Sequence, residues 1–151
     1  MTLEKPAIMS ATSRFPAGSW APMQAPSLDD FEAMADDAFK ALPEGFRKLC
    51  GEVIIRIEDF PDEEVIEAME LETPFDILGL FSGIGMTEAG ATRETGQQPN
   101  MVWLYRRPIL DYWAEHEETL GAVMTHVLVH EIGHHFGLSD ADMEKIEAEA
   151  G

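Results

Sequence analysis

The stretch His130-Glu131-Ile132-Gly133-His134-His135-Phe136-Gly137-Leu138-Ser139-Asp140 decides how the rest of the 151-residue chain is read. Before it, Leu120, Val123, Met124, Val127 and Leu128 recur at helical spacing, so residues 117–136 are expected to form one long helix. His130 and His134 are then one turn apart on one face, and both imidazoles can address a single metal ion. Glu131 lies about 100° further round that helix, placed to take a proton from a metal-activated water without being a ligand. Gly137 can end the helix in a left-handed conformation, after which the chain turns back and carries Asp140 toward the metal. Two imidazoles and one carboxylate leave a fourth position open, which is the donor set of a reactive zinc site. A structural site would be closed by thiolates, and Cys50 is the sole cysteine.

The full pattern has a chance probability on the order of one in ten thousand in a chain of this composition. Several neighbours compete for roles. Ser139 or Asp140 can cap a final short helix, and Asp142 is a second carboxylate close by. His126 precedes His130 by one turn, but it is eight residues, about 12 Å of rise, from His134, so one ion cannot take all three histidines. His126 is therefore expected to line the pocket or to be hydrogen-bonded, and His135 to be structural or exposed.

Composition narrows the function classes. The formal net charge is −19, which repels phosphate backbones and makes nucleic acid an unfavourable partner. No run of eighteen or more apolar residues exists to cross a bilayer. Residues 1–24 have no apolar core of a secretory signal. A single cysteine fits a cytoplasmic location. Length favours one domain with its own core.

Residues 1–27, with Pro16, Pro22 and Pro26, read as a flexible leader, and residues 28–151 as the folded domain. Ser27, Asp29 and Asp30 open a helix with Phe31, Met34, Ala35 and Phe39 on its apolar face, ending at Leu42-Pro43. Val53, Ile55 and Ile57 mark a strand within 51–60. Pro61 at a first helical position starts a short acidic helix to about Met69. Residues 77–84 and 101–106 are further strands, 87–100 a surface loop, and Pro108 the start of another helix. Tyr105, Arg106 and Arg107 are candidates to stabilise the oxyanion of a tetrahedral intermediate, but the preferred expectation is that Tyr105 packs and the arginines offset local acidity. The strand at 101–106 is also a candidate edge for pairing with an extended peptide. Strands followed by a helix-rich end give an α+β domain with a three- to four-stranded sheet packed on helices.

Beyond the motif, the chain resembles the bacterial minimal zincin-like metallopeptidases. The likeness is carried by Ser27-Leu28-Asp29-Asp30-Phe31, Val53-Ile54-Ile55, Ile77-Leu78-Gly79-Leu80-Phe81, Trp103-Leu104-Tyr105-Arg106-Arg107-Pro108-Ile109-Leu110 and Val127-Leu128-Val129-His130-Glu131 onward. It covers about residues 27–145. It implies a small zincin-like domain with its active-site helix near the C-terminus, Zn2+ held by His130, His134 and Asp140, Glu131 as general base, and a peptide or protein substrate. The larger metzincins are similar in the glycine offset but place histidine where Asp140 stands, and the eleven residues after Asp140 are too few for their C-terminal subdomain. A non-catalytic zinc-binding module is the alternative, followed by a metal-dependent ribonuclease, which the acidic charge disfavours.

Overall fold

The computed structural model describes residues 18–82 and 100–150. The expected leader and loop therefore lie largely outside the described residues, as does the second expected strand beyond Ser82. The described elements are α1 (Leu28–Lys40), α2 (Glu44–Cys50), β1 (Val53–Glu58), α3 (Glu63–Ala68), β2 (Gly79–Ser82), β3 (Asn100–Tyr105), α4 (Arg106–Glu115), α5 (Leu120–His135) and α6 (Asp140–Ala150). They form a small α+β domain with a mixed three-stranded sheet, as the sequence led us to expect.

Local chemistry explains most element ends. Ser27 caps α1 in a reciprocal box: the Asp30 N–H donates to the Ser27 hydroxyl at 3.1 Å and the Ser27 N–H to the Asp30 carboxylate at 2.9 Å. A second helix after Pro43 was not anticipated. It is only seven residues long and spans Gly45, but it buries Phe46 and Cys50 one turn apart. Pro61 does not enter α3. Asp62 is the cap, accepting from the Val65 N–H at 2.9 Å. Helix α4 begins at Arg106, two residues ahead of Pro108, whose missing N–H falls in the first turn and costs no helical bond.

In the sheet, β3 lies between the other two strands, parallel to β1 and antiparallel to β2. The expectation that residues 101–106 offer a free edge is thus overturned. Both sides of β3 are already hydrogen-bonded, and among the described residues the edges belong to β1 and β2. Burial agrees with the central position: Val102 and Leu104 are fully buried and Tyr105 nearly so, while Val53, Ile55 and Ile57 on β1 are only half-buried.

Helix α5 is the hub of the core. Leu120, Val123, Met124, Val127, Leu128, Val129, Ile132 and Gly133 are all buried, so it is apolar on more than one side. It packs against α1, α4, α6 and the sheet. Each large aliphatic side chain fully buried there contributes about 1.5–3 kcal/mol of transfer free energy. The sheet meets α5 at Gly79. A Cβ there would lie 2.9 Å from the Trp103 carbonyl oxygen and 3.2 Å from a Val127 methyl. Backbone cannot yield as a flexible side chain does, so Gly79→Ala should cost about 1–3 kcal/mol. Gly45→Ala, with nothing within 4 Å of the new methyl, should cost nothing. Denaturant midpoints of the two variants test this, and equal midpoints would show that the sheet can retreat from α5 freely.

Candidate metal centre

The site forms where α5 ends and α6 folds back. The Leu138 N–H donates to the Gly133 carbonyl at 2.9 Å and the Gly137 N–H to the His134 carbonyl at 3.1 Å. This paired closure requires the left-handed Gly137, whose φ is +77°. Ser139 then caps α6: its hydroxyl accepts from the Asp142 N–H at 3.1 Å, and its own N–H donates to the Asp142 carboxylate at 3.3 Å. Capping therefore occupies Ser139 and Asp142 and leaves Asp140 free of that role. At Gly133 the helices nearly touch, because a Cβ there would stand 2.5 Å from the Met143 sulfur.

Along α5, His126, His130 and His134 form one row. Their ring centroids are separated by 4.0 Å for the first pair and 5.6 Å for the second. Helix α6 runs back beside this row. His126, His130, Asp140, Glu144 and Glu147 line the cleft between the two helices, about 400 Å³ in volume. The Glu147 carboxylate reaches both upper histidines: Oε1 lies 3.1 Å from His126 Nδ1 and Oε2 lies 3.0 Å from His130 Nε2. Among the described residues, His126, His130 and Glu147 form the group of possible ligands whose donor atoms all lie within 4.8 Å of one another. Two imidazoles and a carboxylate, each half-buried, fit a zinc-type ion in donor chemistry.

His130 is in the donor group. His134 is exposed one turn on, in edge contact with His130, and stands outside it. Asp140 lines the same cleft as His130 but is also outside it. His126 lines the pocket and is hydrogen-bonded, as expected. Glu147 was missed. It sits among Glu144 and Glu149 on an acidic helix, and only the tight turn at Gly137 reveals that it faces His130. The spacing of Asp140, Glu144 and Glu147, four and then three residues, was the available signal, since it puts all three on one face of α6.

Glu131 follows His130 on α5 and is half-buried. Loss of hydration pushes its carboxyl up from 4.5 to about 7. The Tyr105 phenol is pushed to about 12, first by burial and then by the charges of Glu58, Asp62 and Glu131. Arg106 is fully engaged elsewhere, its Nε donating to the Pro26 carbonyl at 2.6 Å and a terminal nitrogen to Asp59 at 3.0 Å. Arg107 lies over the Phe60 ring at 5.5 Å. Both arginines therefore tie the start of α4 to residues just before α1 and just after β1 rather than serve the cleft. His135, expected to be structural or exposed, packs on Phe81 with ring centroids 4.2 Å apart.

A family model described as zincin-like metallopeptidase matches residues 50–150, the span from the end of α2 through the whole of α5 and α6. The chain belongs to the zincin-like metallopeptidase family. No curated protein matches the chain. Membership in a zincin-like family agrees with the α+β fold, and at the family level it indicates a metal-dependent hydrolase of the peptidase type. The matched span includes every histidine and carboxylate of the cleft.

The raised Glu131 value has a stability consequence. The folded state holds this proton more tightly than the unfolded chain, so the associated stability is full below pH 4.5 and declines as the pH rises to about 7. After allowance for partial solvent exposure the loss is on the order of 1–2 kcal/mol. In metal-stripped protein, Glu131→Gln should therefore match the wild type near pH 4.5 and be the more stable of the two at pH 8. Denaturant titrations across that range provide the check, and a less stable glutamine variant at pH 8 would reverse the assignment.

Proposed function

We propose that the protein is a zinc-dependent metallopeptidase that hydrolyses peptide bonds, with His130, His134 and Asp140 holding the metal and Glu131 as general base. The observation that carries this reading is the pairing of His130 and His134 on one face of α5 with a half-buried glutamate directly after the first histidine, in a chain of the zincin-like family. Asp140 is available as third ligand because Ser139, not Asp140, caps α6 and because Asp140 lines the same cleft as His130.

Zinc, when bound, supplies a Lewis acid that lowers the pKa of a water from about 15.7 toward 7 and polarises the scissile carbonyl. The residues around it supply positioning and proton transfer. Glu131 accepts the proton of the attacking water on its carboxylate and delivers it to the leaving amine nitrogen. Its partial burial thins the water shell around that carboxylate, so the proton is passed between protein and substrate rather than lost to bulk solvent. The Schellman-type turn at Gly137 and the close approach of Gly133 to Met143 hold α6 beside the histidine row, with Asp140 lining the cleft it shares with His130.

The substrate belongs to the peptide class. A net charge of −19 supports peptides over nucleic acid, whose phosphates it repels. A cytoplasmic setting belongs to the same proposal and rests on the single, buried cysteine. No described helix is long and apolar enough to cross a membrane.

Glu131→Gln separates this reading from that of a zinc protein with no turnover. On a quenched-fluorescent peptide library, the variant should lose at least about a hundredfold in kcat, the scale of a general base, while elemental analysis still finds one zinc per chain. Unchanged turnover in the variant, or wild-type protein that holds no zinc, contradicts the proposal.

A further inference from the structure

Two rows of donors face each other across the α5–α6 cleft. The histidine row is longer than the proposed catalytic centre needs, and so is the carboxylate face of α6. Because α6 runs back along α5, Met143 lies level with Gly133 and Glu147 level with His126 and His130. The cleft therefore offers an ion two successive steps, with His130 common to both.

We propose that His126, His130 and Glu147 form a second, alternative position for a divalent ion of the zinc type, one helical turn back along α5 from the His130–His134–Asp140 centre. The donor atoms lie within 4.8 Å of one another. A tetrahedral ion with bonds of about 2.0–2.1 Å sets its ligands roughly 3.3–3.4 Å apart. The Glu147 contacts of 3.1 Å and 3.0 Å, each through its own oxygen, are close to that spacing, and the widest separation in the group, at most 4.8 Å, closes to it by rotation of partly exposed side chains. Burial suits an ion that must exchange: the side chains are 43% exposed at His126, 24% at His130 and 26% at Glu147. Zinc-type ions prefer imidazole and carboxylate in this combination, whereas calcium and magnesium favour sites built from oxygen alone.

The position has a functional consequence. The atom of His130 that meets Glu147 is Nε2, and its one lone pair serves one ion. An ion on the His126 step therefore competes with an ion on the His134 step for His130, and the upper step is a storage or inhibitory position. Ion binding at His126, His130 and Glu147 stands without the peptidase reading, while the competition rests on it.

Titration of metal-stripped protein with Co2+, followed by visible absorption, and with Zn2+, followed by calorimetry, tests the proposal without any measurement of activity. His134→Ala removes the lower step. It should still bind one ion per chain, within about tenfold of the wild-type affinity, with a tetrahedral Co2+ spectrum. Adding Glu147→Gln, or separately His126→Asn, to that background should weaken binding at least tenfold. All three side chains are partly solvent-exposed, and thermal melting of the metal-free variants verifies that they fold. If His134→Ala binds no ion, the second position is overturned while the catalytic centre stands. If binding in the His134→Ala background is indifferent to both added substitutions, the ion lies elsewhere and the second position is again overturned. Wild-type protein that binds neither ion overturns both readings together.

Discussion

The close approach of α6 to α5 is the constraint on which the site depends. The two helices are joined by Gly137 in a left-handed turn and pressed together where Gly133 meets Met143, and Met143 is itself fully buried. Any side chain at Gly133 would push against the Met143 sulfur, so the separation of the helices is set by an absence of atoms. That separation places the Glu147 carboxylate within hydrogen-bond range of His126 and His130. Without the turn, the histidines would be an exposed row on a helix, and no donor group would exist.

The core enforces which face of α5 is left for that row. With Val123, Val127, Leu128, Val129 and Ile132 all buried against α1, the sheet and neighbouring helices, rotation of α5 about its axis would expose several large aliphatic groups. At about 1.5–3 kcal/mol for each, such a rotation would cost an amount comparable with the whole stability of a domain this size. The imidazoles therefore stay on the cleft side, and the polar chemistry is positioned by apolar packing elsewhere on the same helix.

The histidine row, the capped start of α1, the β1 and β3 strands and the Gly137 turn were legible in the sequence because each depends on local geometry. Periodicity shows which residues share a face, and glycine and serine mark where a helix ends. Three features were not legible for the opposite reason. Helix α2 is short and spans a glycine, and it exists because Phe46 and Cys50 find a buried partner surface. The inner position of β3 depends on which strands pair, and no residue within 101–106 distinguishes an edge from a centre. Glu147 becomes a neighbour of His130 only through tertiary contact, seventeen residues away in the chain. Resemblance to the family pointed to Asp140, while the side-chain arrangement brings Glu147 onto the same histidine. The two carboxylates lie on one face of one helix, which is why one ligand assignment does not exclude the other.

The central claim is that the α5–α6 cleft holds zinc through His130. Diffraction data from zinc-loaded crystals, collected above and below the zinc absorption edge, test it most directly. An anomalous peak is expected within bonding distance of a His130 ring nitrogen, flanked either by His134 and Asp140 or by His126 and Glu147. Zinc bound only at other surface carboxylates, with His130 still paired to Glu147 and no peak in the cleft, would contradict it.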